Sequence, residues 1–321
     1  MRELEGWDAT STVVVVNSAA AGGRVGRQWR EIALGLTQAL GDVHFVLSRE
    51  PGHCITLASE AVEKGARTIL SLGGDGTHNE VVNGILRAQK KPGSVRLGVL
   101  PAGTGGDFRR MLVHNASIQD AARALPTAPE APIDAGLIRF VTDDGQPRER
   151  YFLNIASLGV SGLVDRAVNR SSKRLGGKLT FLLATLQSLP LYRPPLVRLH
   201  VDGAAVGDFR ISTIAVCNGR FAGGSMNFAP RARLGDGLFD VTVVKDAPLY
   251  RSIPETPKLY DGTIVRSSLA EQFQGSRVRV EPLDDHKAYV DIDGEAPGVA
   301  PCEFEILPHA LKLLDARSDV L

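Results

Sequence analysis

Residues 71–84 read SLGGDGTHNEVVNG, and they join a predicted buried strand to a predicted helix. Three glycines, Gly73, Gly74 and Gly76, follow the apolar run, as in loops whose backbone N–H groups approach phosphate. The stretch has neither the Lys-Ser/Thr ending of the usual P-loop nor the GxGxxG spacing of a dinucleotide turn. An aspartate, Asp75, stands at its centre instead. The stretch therefore predicts an α/β unit whose anion-binding turn is of an unusual kind.

Strand and helix patterns alternate on both sides of this turn. The predicted strands cover 12–17, 43–48, 67–74 and 95–103, and the predicted helices cover 26–40, 53–64 and 79–90. Thr77 is the predicted N-cap of the third helix, with Glu80 completing a capping box. The alternation predicts an open, mostly parallel sheet with helices on both faces.

The pattern changes after a proline-rich segment at 124–134, which indicates a domain boundary. Short β-patterned runs separated by turn residues predict an antiparallel β-sandwich or barrel. These runs cover 136–141, 150–156, 196–202, 209–217, 238–244, 276–282, 287–293 and 302–308. Helical insertions are predicted near 160–190 and 256–271. The predicted fold class is α/β plus all-β, with an α/β domain over 1–133, a β-sandwich over 134–306, and a tail at 307–321 returning to the first domain.

Composition narrows the class of protein. The chain of 321 residues is 43% hydrophobic and 23% charged, with a net charge of +1, so no basic field indicates a nucleic-acid partner. Three well-separated cysteines predict buried thiols in a reducing compartment, and the sequence predicts a cytoplasmic protein. No signal peptide is visible, and no apolar run approaches the ~18 residues of a membrane span. The sequence leaves a homodimer open.

Three predicted strands end in turns rich in small or polar residues, at 17–23, 73–80 and 101–107. Because parallel strands end at one edge of an open sheet, these turns could together hold a polyphosphate. Asp75 could then hold Mg²⁺ or orient an attacking hydroxyl. The alternative is structural: the glycines close tight turns, and Asp75 stabilises a helix N-terminus.

Two acidic turns lie in the second predicted domain. One reads LGDGLFDV, with Asp236 and Asp240, and the other reads VDIDGE, with Asp291, Asp293 and Glu295. Asp-Gly is also a common hairpin turn, so each motif alone is more simply a turn than a site.

Taken together, GGDGT with NEVVNG, PAGTGGDF, FLNIASLGVSG, GDGLFDV and DGE resemble the diacylglycerol kinase catalytic family over nearly the whole chain. The resemblance is greatest to the soluble bacterial lipid kinases, with sphingosine and ceramide kinases as relatives. It implies ATP and Mg²⁺ as cofactors, a lipid substrate at a membrane surface, a role in lipid metabolism, and an active site in the cleft between the two domains.

The resemblance also implies roles for individual residues. Glu295 would be the general base and Asp75 would position the hydroxyl or Mg²⁺, while Asp107 and Asp134 would organise the site. Asp236, with the backbone of Arg233 and Leu238, would form a structural Mg²⁺ site. The implied ATP-binding residues are Asn17, Ser18, Ser48, Gly73, Gly74, Asp75, Gly76, Thr77, Asn79, Glu80, Gly103 and Thr104.

The chain departs from the family pattern at three positions. Ser18 replaces the usual proline, Gly106 the usual asparagine, and Gly235 an aspartate common in relatives. The expected reaction is transfer of the ATP γ-phosphoryl group to a lipid primary hydroxyl. Two alternatives stay open: an NAD kinase-like or other soluble-alcohol kinase, and a nucleotide-binding regulatory protein without turnover.

One further segment, 166–193, combines basic residues with an apolar helix pattern. It could rest on anionic lipid at the inner membrane face, or it could pack in the core with a solvated basic end.

Overall fold

The computed structural model describes residues 8–102, 106–164 and 192–321. The chain forms two compact units. The first comprises Met1–Asp134 with Pro308–Leu321, and the second comprises Ala135–Leu307. The predicted helical segment at 166–193 lies almost wholly outside the described residues. Within those residues, no helix has both the length and the apolar character needed to cross a membrane.

The first unit is built on a parallel sheet of β1 (Thr12–Asn17), β2 (His44–Ser48), β3 (Thr68–Gly73) and β4 (Arg96–Pro101). These strands lie in the order β2–β1–β3–β4. The end of the last strand, β16 (Glu295–Leu314), pairs in parallel with β4 and extends the sheet. The valine run of β1 suits a pleated strand buried on both faces, and Val14, Val15 and Val16 are fully buried.

The helices of this unit differ from the prediction at two N-terminal ends. The predicted helix 26–40 is two helices that meet at Gln28, and the one predicted at 79–90 begins four residues earlier. The helices are α1 (Ala20–Arg27), α2 (Trp29–Leu40), α3 (His53–Glu63), α4 (Asp75–Ala88) and α5 (Ile118–Ala124).

The predicted capping box is wrong, because Gly74, in an extended conformation, is the N-cap of α4. Thr77 already lies in the first turn of the helix, where its hydroxyl has another partner.

Helices α3 and α4 approach closely because α4 carries a glycine at their contact. A Cβ on Gly84 would lie 2.3 Å from the carbonyl oxygen of Ile55 and 2.7 Å from the Ala58 Cβ. This close approach fixes α4 against the sheet behind the glycine-rich turn.

The second unit is an antiparallel β-sandwich, so the predicted fold class is confirmed. The strands are β5 (Glu130–Val141), β6 (Pro147–Phe152), β7 (Ile155–Gly159), β8 (Leu196–Val201), β9 (Ala204–Cys217), β10 (Phe221–Ala222), β11 (Met226–Asn227), β12 (Phe239–Lys245), β13 (Ala270–Gly275), β14 (Arg277–Pro282) and β15 (Tyr289–Ile292). Two long strands change partners along their length. The first part of β9 pairs with β8 and its last residues pair with β7 and β12, while β16 pairs first with β15 and then with β14.

Two predictions for this unit are corrected. The helical insertion at 256–271 is instead α6 (Leu249–Glu255), two 3₁₀ turns and the unpredicted strand β13, because Pro254 and Pro257 stop a longer helix. The single strand predicted at 150–156 is interrupted between β6 and β7.

The thiols of Cys54, Cys217 and Cys302 are buried and unbridged, as predicted. Burial, together with a smaller effect of the nearby Glu80 carboxylate, raises the pKa of the Cys54 thiol to about 12.

Candidate functional site

The carboxyl ends of β1 to β4 come together at one edge of the first sheet. Asn17 is in register with Ser48 across β1 and β2, and Gly73 is in register with Pro101 across β3 and β4. The three predicted turns therefore start from adjacent strands, as ligand-binding loops do in open α/β sheets. Gly103 and Thr104, in the third turn, lie outside the described residues.

Side chains join the first turn to its neighbours. The Asn17 amide donates a hydrogen bond to the Thr77 hydroxyl (2.8 Å), and its oxygen accepts one from the Ala19 N–H (3.0 Å). Ser18 donates through its hydroxyl to the Ser48 carbonyl (3.1 Å). The loop is thus bound to the start of α4 on one side and to β2 on the other.

The glycines of the second turn have two different roles. A Cβ on Gly73 would lie 2.3 Å from the Thr77 hydroxyl oxygen and 2.4 Å from its Cβ, so this glycine allows Thr77 to fold back over the turn. Among the residues that the structure describes, none has a heavy atom within 4 Å of the position that a Cβ on Gly74 or Gly76 would take. Open space next to the N-terminus of a 14-residue helix is suited to an anion, which the helix dipole and unpaired N–H groups would stabilise.

Asp75 binds the turn that follows β4. Its carboxylate accepts hydrogen bonds from the backbone N–H groups of Asp107 (2.8 Å) and Phe108 (3.2 Å). Burial raises the pKa of Asp75, opposed by those two hydrogen bonds and by the charge of Arg109. Asp75 therefore fastens the second turn to the third as well as presenting a carboxylate at the start of α4.

Gly106 has a conformational reason for being glycine. Its φ of +119° lies in a region that side chains rarely adopt, and the space around its Cα is limited by Arg109 and the Asp75 carboxylate. The family's usual asparagine would be strained in this backbone.

Glu80 holds a neighbouring helix. Its two carboxylate oxygens accept hydrogen bonds from the N–H groups of Gly52 (3.0 Å) and Cys54 (3.1 Å), at the N-terminus of α3. No cap side chain of α3 itself fills this role, because Gly52 is the N-cap residue. Direct contact of Glu80 with phosphate stays a prediction.

Sequence reasoning missed a buried polar pair beneath the turn. His78 of α4 lies 2.8 Å, Nδ1 to Oγ, from Ser71 of β3, and both residues are buried. Burial lowers the pKa of His78 to about 4, so the imidazole is neutral at pH 7. In the same helix, Asn79 is buried and its backbone and side-chain oxygens accept hydrogen bonds from the Asn83 amide. The His78–Ser71 pair joins α4 to β3, and the Asn79–Asn83 hydrogen bonds lie within α4 itself.

The two acidic positions that the resemblance names as site organisers are both buried. Asp107 lies 4.0 Å from the guanidinium of Arg110. Asp134 is fully buried and accepts a hydrogen bond from the His309 N–H (2.7 Å). This bond joins the first part of β5, which belongs to the first unit, to β16.

In the second unit, Glu295 follows a tight hairpin between β15 and β16. Asp293 and Gly294 both have positive φ values, 47° and 90°, and Ile292 pairs with Glu295 across the turn. The Glu295 carboxylate forms an ion pair with Arg150 of β6, with 2.6 Å between Nη1 and Oε2. The DGE motif is therefore a hairpin turn, as its composition suggested, and it carries a half-exposed carboxylate.

Asp293 fastens this hairpin to the interruption between β6 and β7. Its carboxylate accepts hydrogen bonds from three successive backbone N–H groups, those of Leu153, Asn154 and Ile155, at 2.9 to 3.2 Å. Asp291 accepts one from the Ser157 hydroxyl at 3.0 Å. Sequence reasoning missed these contacts, although the adjacent FLNIAS and DGE motifs were both recognised.

The proposed metal position around Asp236 has oxygen donors but is not a complete cluster. Asp236 accepts a hydrogen bond from the Leu238 N–H (3.1 Å), and Arg233 lies three residues earlier. Burial raises the pKa of nearby Asp240, and the charge of Asp236 adds to the rise. Asp240 Oδ2 is buried without a hydrogen-bond partner in the described part of the chain, so the donor set fits a cation. The described residues contain no group of three or more His, Cys, Asp or Glu side chains arranged for a metal.

Comparisons with solved structures concern the fold. A putative diacylglycerol kinase from Bacillus anthracis has a similar fold, with a TM-score of 0.76 at 22% identity, covering 100% of this chain and 99% of that one. A yeast NADH kinase is more distantly similar in fold, with a TM-score of 0.53 at 12% identity, covering 97% of this chain and 85% of that one. The chain thus shares with these proteins the fold of an α/β unit and a β-sandwich.

Sequence comparisons identify the family. A sequence model for the diacylglycerol kinase catalytic domain matches residues 11–138, and one for the YegS C-terminal NAD kinase beta sandwich-like domain matches residues 154–315. A diacylglycerol kinase from Bacillus subtilis is 32% identical over 255 residues, 79% of each chain. A probable lipid kinase YegS-like from Chromohalobacter salexigens is 29% identical, over 85% of this chain and 83% of that one. The chain belongs to the diacylglycerol kinase catalytic domain family, a family of lipid kinases.

Proposed function

We propose that this protein transfers the γ-phosphoryl group of ATP to the primary hydroxyl of a lipid, with diacylglycerol or a sphingoid or other lipid alcohol as substrate. The observation that carries the ATP site is the open space at Gly74 and Gly76, at the N-terminus of α4. In a lipid kinase family this turn is the part of the fold best suited to hold phosphate. The lipid acceptor is supported by the diacylglycerol kinase relatives.

Each residue of the site has a distinct task in this proposal. The turn N–H groups stabilise charge on the transferring phosphoryl group. Mg²⁺, when bound, would neutralise phosphate charge, and Asp75 and Asp236 are the carboxylates suited to hold such ions. Glu295 takes the proton of the lipid hydroxyl. In the first unit, Asp107 supports the turn after β4, and Asp134 supports the pairing of β5 with β16. A half-exposed carboxylate is suited to this task because a substrate hydroxyl can reach it.

Lipid access requires contact with a lipid surface. Helix α6 buries none of its residues, and Leu249, Tyr250 and Ile253 are each more than 60% exposed. Apolar side chains and a tyrosine on a short exposed helix are suited to the boundary between headgroups and acyl chains. They support peripheral binding to a membrane.

The test is a lipid phosphorylation assay with labelled ATP, a panel of lipid alcohols in vesicles, and NAD as a soluble acceptor. Wild-type protein should label a lipid, and Glu295→Gln and Asp75→Ala should each abolish labelling. Glu303→Gln, on the exposed side of the same strand, is the matched control and should remain active. Labelling of NAD alone, or ATP binding without labelling of any acceptor, would overturn the proposal.

A further inference from the structure

We infer that Arg150 is a positioning residue for the reaction: it holds one oxygen of Glu295 and leaves the other to take the substrate proton. The inference rests on the proposed role of Glu295 and adds to it a second residue, on a different strand. Arg150 lies in β6, and its side chain is 16% exposed, whereas that of Glu295 is 40% exposed. The arginine is therefore the more buried partner, and the carboxylate faces the accessible side.

The geometry divides the two oxygens of Glu295 between two tasks. Oε2 accepts the hydrogen bond from Arg150 Nη1 at 2.6 Å, a short contact typical of charge-assisted pairs. Oε1 accepts no hydrogen bond from any residue that the structure describes. One oxygen is thus fixed and the other is available to a hydroxyl.

Hydrogen bonds hold together the two backbone segments that carry this ion pair. Strand β6 ends at Phe152, and the next three backbone N–H groups all bind the Asp293 carboxylate. Asp293 precedes Glu295 by two residues in the hairpin. Its hydrogen bonds therefore join the segment that follows Arg150 to the hairpin that carries Glu295. A reacting group that is held in place before substrate binds reacts faster than one that must be ordered during the reaction.

Stability alone does not account for the pair. Ion pairs with a solvent-accessible partner contribute little to folding, because water screens the charges and two long side chains lose freedom. A guanidinium that holds one oxygen of a carboxylate does, however, fix the orientation of that group, and a general base must lie within hydrogen-bond reach of the proton that it takes. In the step itself, the lipid O–H bond breaks and its proton passes to Oε1. The hydroxyl oxygen forms the new bond to the γ-phosphorus, and ADP leaves with the electron pair of the broken P–O bond.

The variants Arg150→Met and Arg150→Gln remove the charge, and Arg150→Lys keeps it. We expect kcat to fall about 100-fold in the first two, in the range of a general-base contribution. The KM for ATP should change less than about twofold, since Arg150 is not in the phosphate turns. A fall in kcat with little change in KM indicates the loss of an interaction that acts in the transition state. Arg150→Lys should regain part of kcat, because it keeps a charged hydrogen-bond donor for the carboxylate.

Arg148→Met is the matched control, because Arg148 is two residues earlier on the same strand and exposed. It should keep the wild-type kcat and KM. Added guanidinium ion at millimolar concentration should partly restore kcat in Arg150→Met and not in Glu295→Gln. Arg150→Gln that is folded and retains the wild-type kcat would overturn the inference. If Glu295→Gln is itself active, the proposed function of Glu295 fails first, and that result is separate from any result at Arg150.

Discussion

Glycine-to-alanine substitutions in the GGDGT turn can separate an effect on folding from an effect on phosphate binding, because each adds a single methyl group. Gly73→Ala places a Cβ 2.3 Å, 2.4 Å and 2.6 Å from three atoms of Thr77, which is itself buried. Gly74→Ala and Gly76→Ala place it in open space, in backbone conformations that alanine adopts without strain. The same chemical change should therefore have opposite consequences within four residues.

The magnitudes follow from these contacts. Forcing Thr77 away costs about 1–3 kcal/mol as overpacking, and loss of the Asn17–Thr77 hydrogen bond adds about 1 kcal/mol. Gly73→Ala should therefore destabilise the first unit by about 2–4 kcal/mol, at roughly 2–4 °C in Tm for each kcal/mol. Gly76→Ala, inside the helix, should leave stability unchanged or raise it by up to about 1 kcal/mol. In the proposed complex its methyl group displaces a phosphate oxygen, and a misplacement of about 1 Å lowers kcat/KM for ATP about 100-fold.

Thermal unfolding and ATP-dependent lipid phosphorylation should be measured on all three variants. We expect a lower Tm for Gly73→Ala, and a wild-type or higher Tm with much reduced kcat/KM for Gly74→Ala and Gly76→Ala. Wild-type kcat/KM in Gly76→Ala would refute the assignment of phosphate to this space. A wild-type Tm in Gly73→Ala would refute the steric reasoning about Thr77.

Two further predictions concern stability. The pKa of His78 is lowered from 6.5 to about 4 in the folded protein, so below pH 6.5 the unfolded chain binds a proton that the folded one does not. Stability should therefore fall as the pH drops from about 6.5 to 4, by about 3 kcal/mol in all, and urea unfolding should show this dependence weakened in His78→Gln. An identical pH dependence in that variant would contradict the pKa argument. Asp293→Ala leaves the N–H groups of Leu153, Asn154 and Ile155 without their acceptor and should cost about 3–5 kcal/mol in the free energy of unfolding. Asp293→Asn, which keeps an acceptor oxygen and tolerates the positive φ, should cost less. Equal urea midpoints for the two variants would argue against a stabilising role of these three hydrogen bonds.

Helix boundaries show the limit of local prediction in this chain. The sequence pattern placed the start of α4 at residue 79, because GGDGT looks like a loop and Thr77 like a cap. The helix begins at Asp75, since the carboxylate there is held by the turn after β4, which no local pattern reveals. The strand break between β6 and β7 is a similar case, because the backbone N–H groups there bind the Asp293 carboxylate, which is distant in sequence.

Local sequence patterns are sufficient to predict the order of the strands and helices and the positions of the turns. Runs of β-branched residues, helical periodicity and glycines at strand ends are local signals, and they were enough to predict an α/β unit followed by a β-sandwich. They were also enough to select Asp75 as a candidate, whereas Glu295 was selected by the resemblance of its motif to the family pattern.

Tertiary structure decided which groups those side chains meet. Glu80 binds backbone 28 residues away, and Glu295 meets Arg150 across 145 residues of chain. The glycine at 106 is explained by its φ of +119°, a conformation that its neighbours impose. Contacts between distant segments form only when the whole chain folds. Local sequence patterns do not reveal them, because a carboxylate looks the same in the sequence whether its partner is an arginine, a helix terminus or solvent. The sequence therefore identifies the candidate groups, and the fold determines how each of them is held.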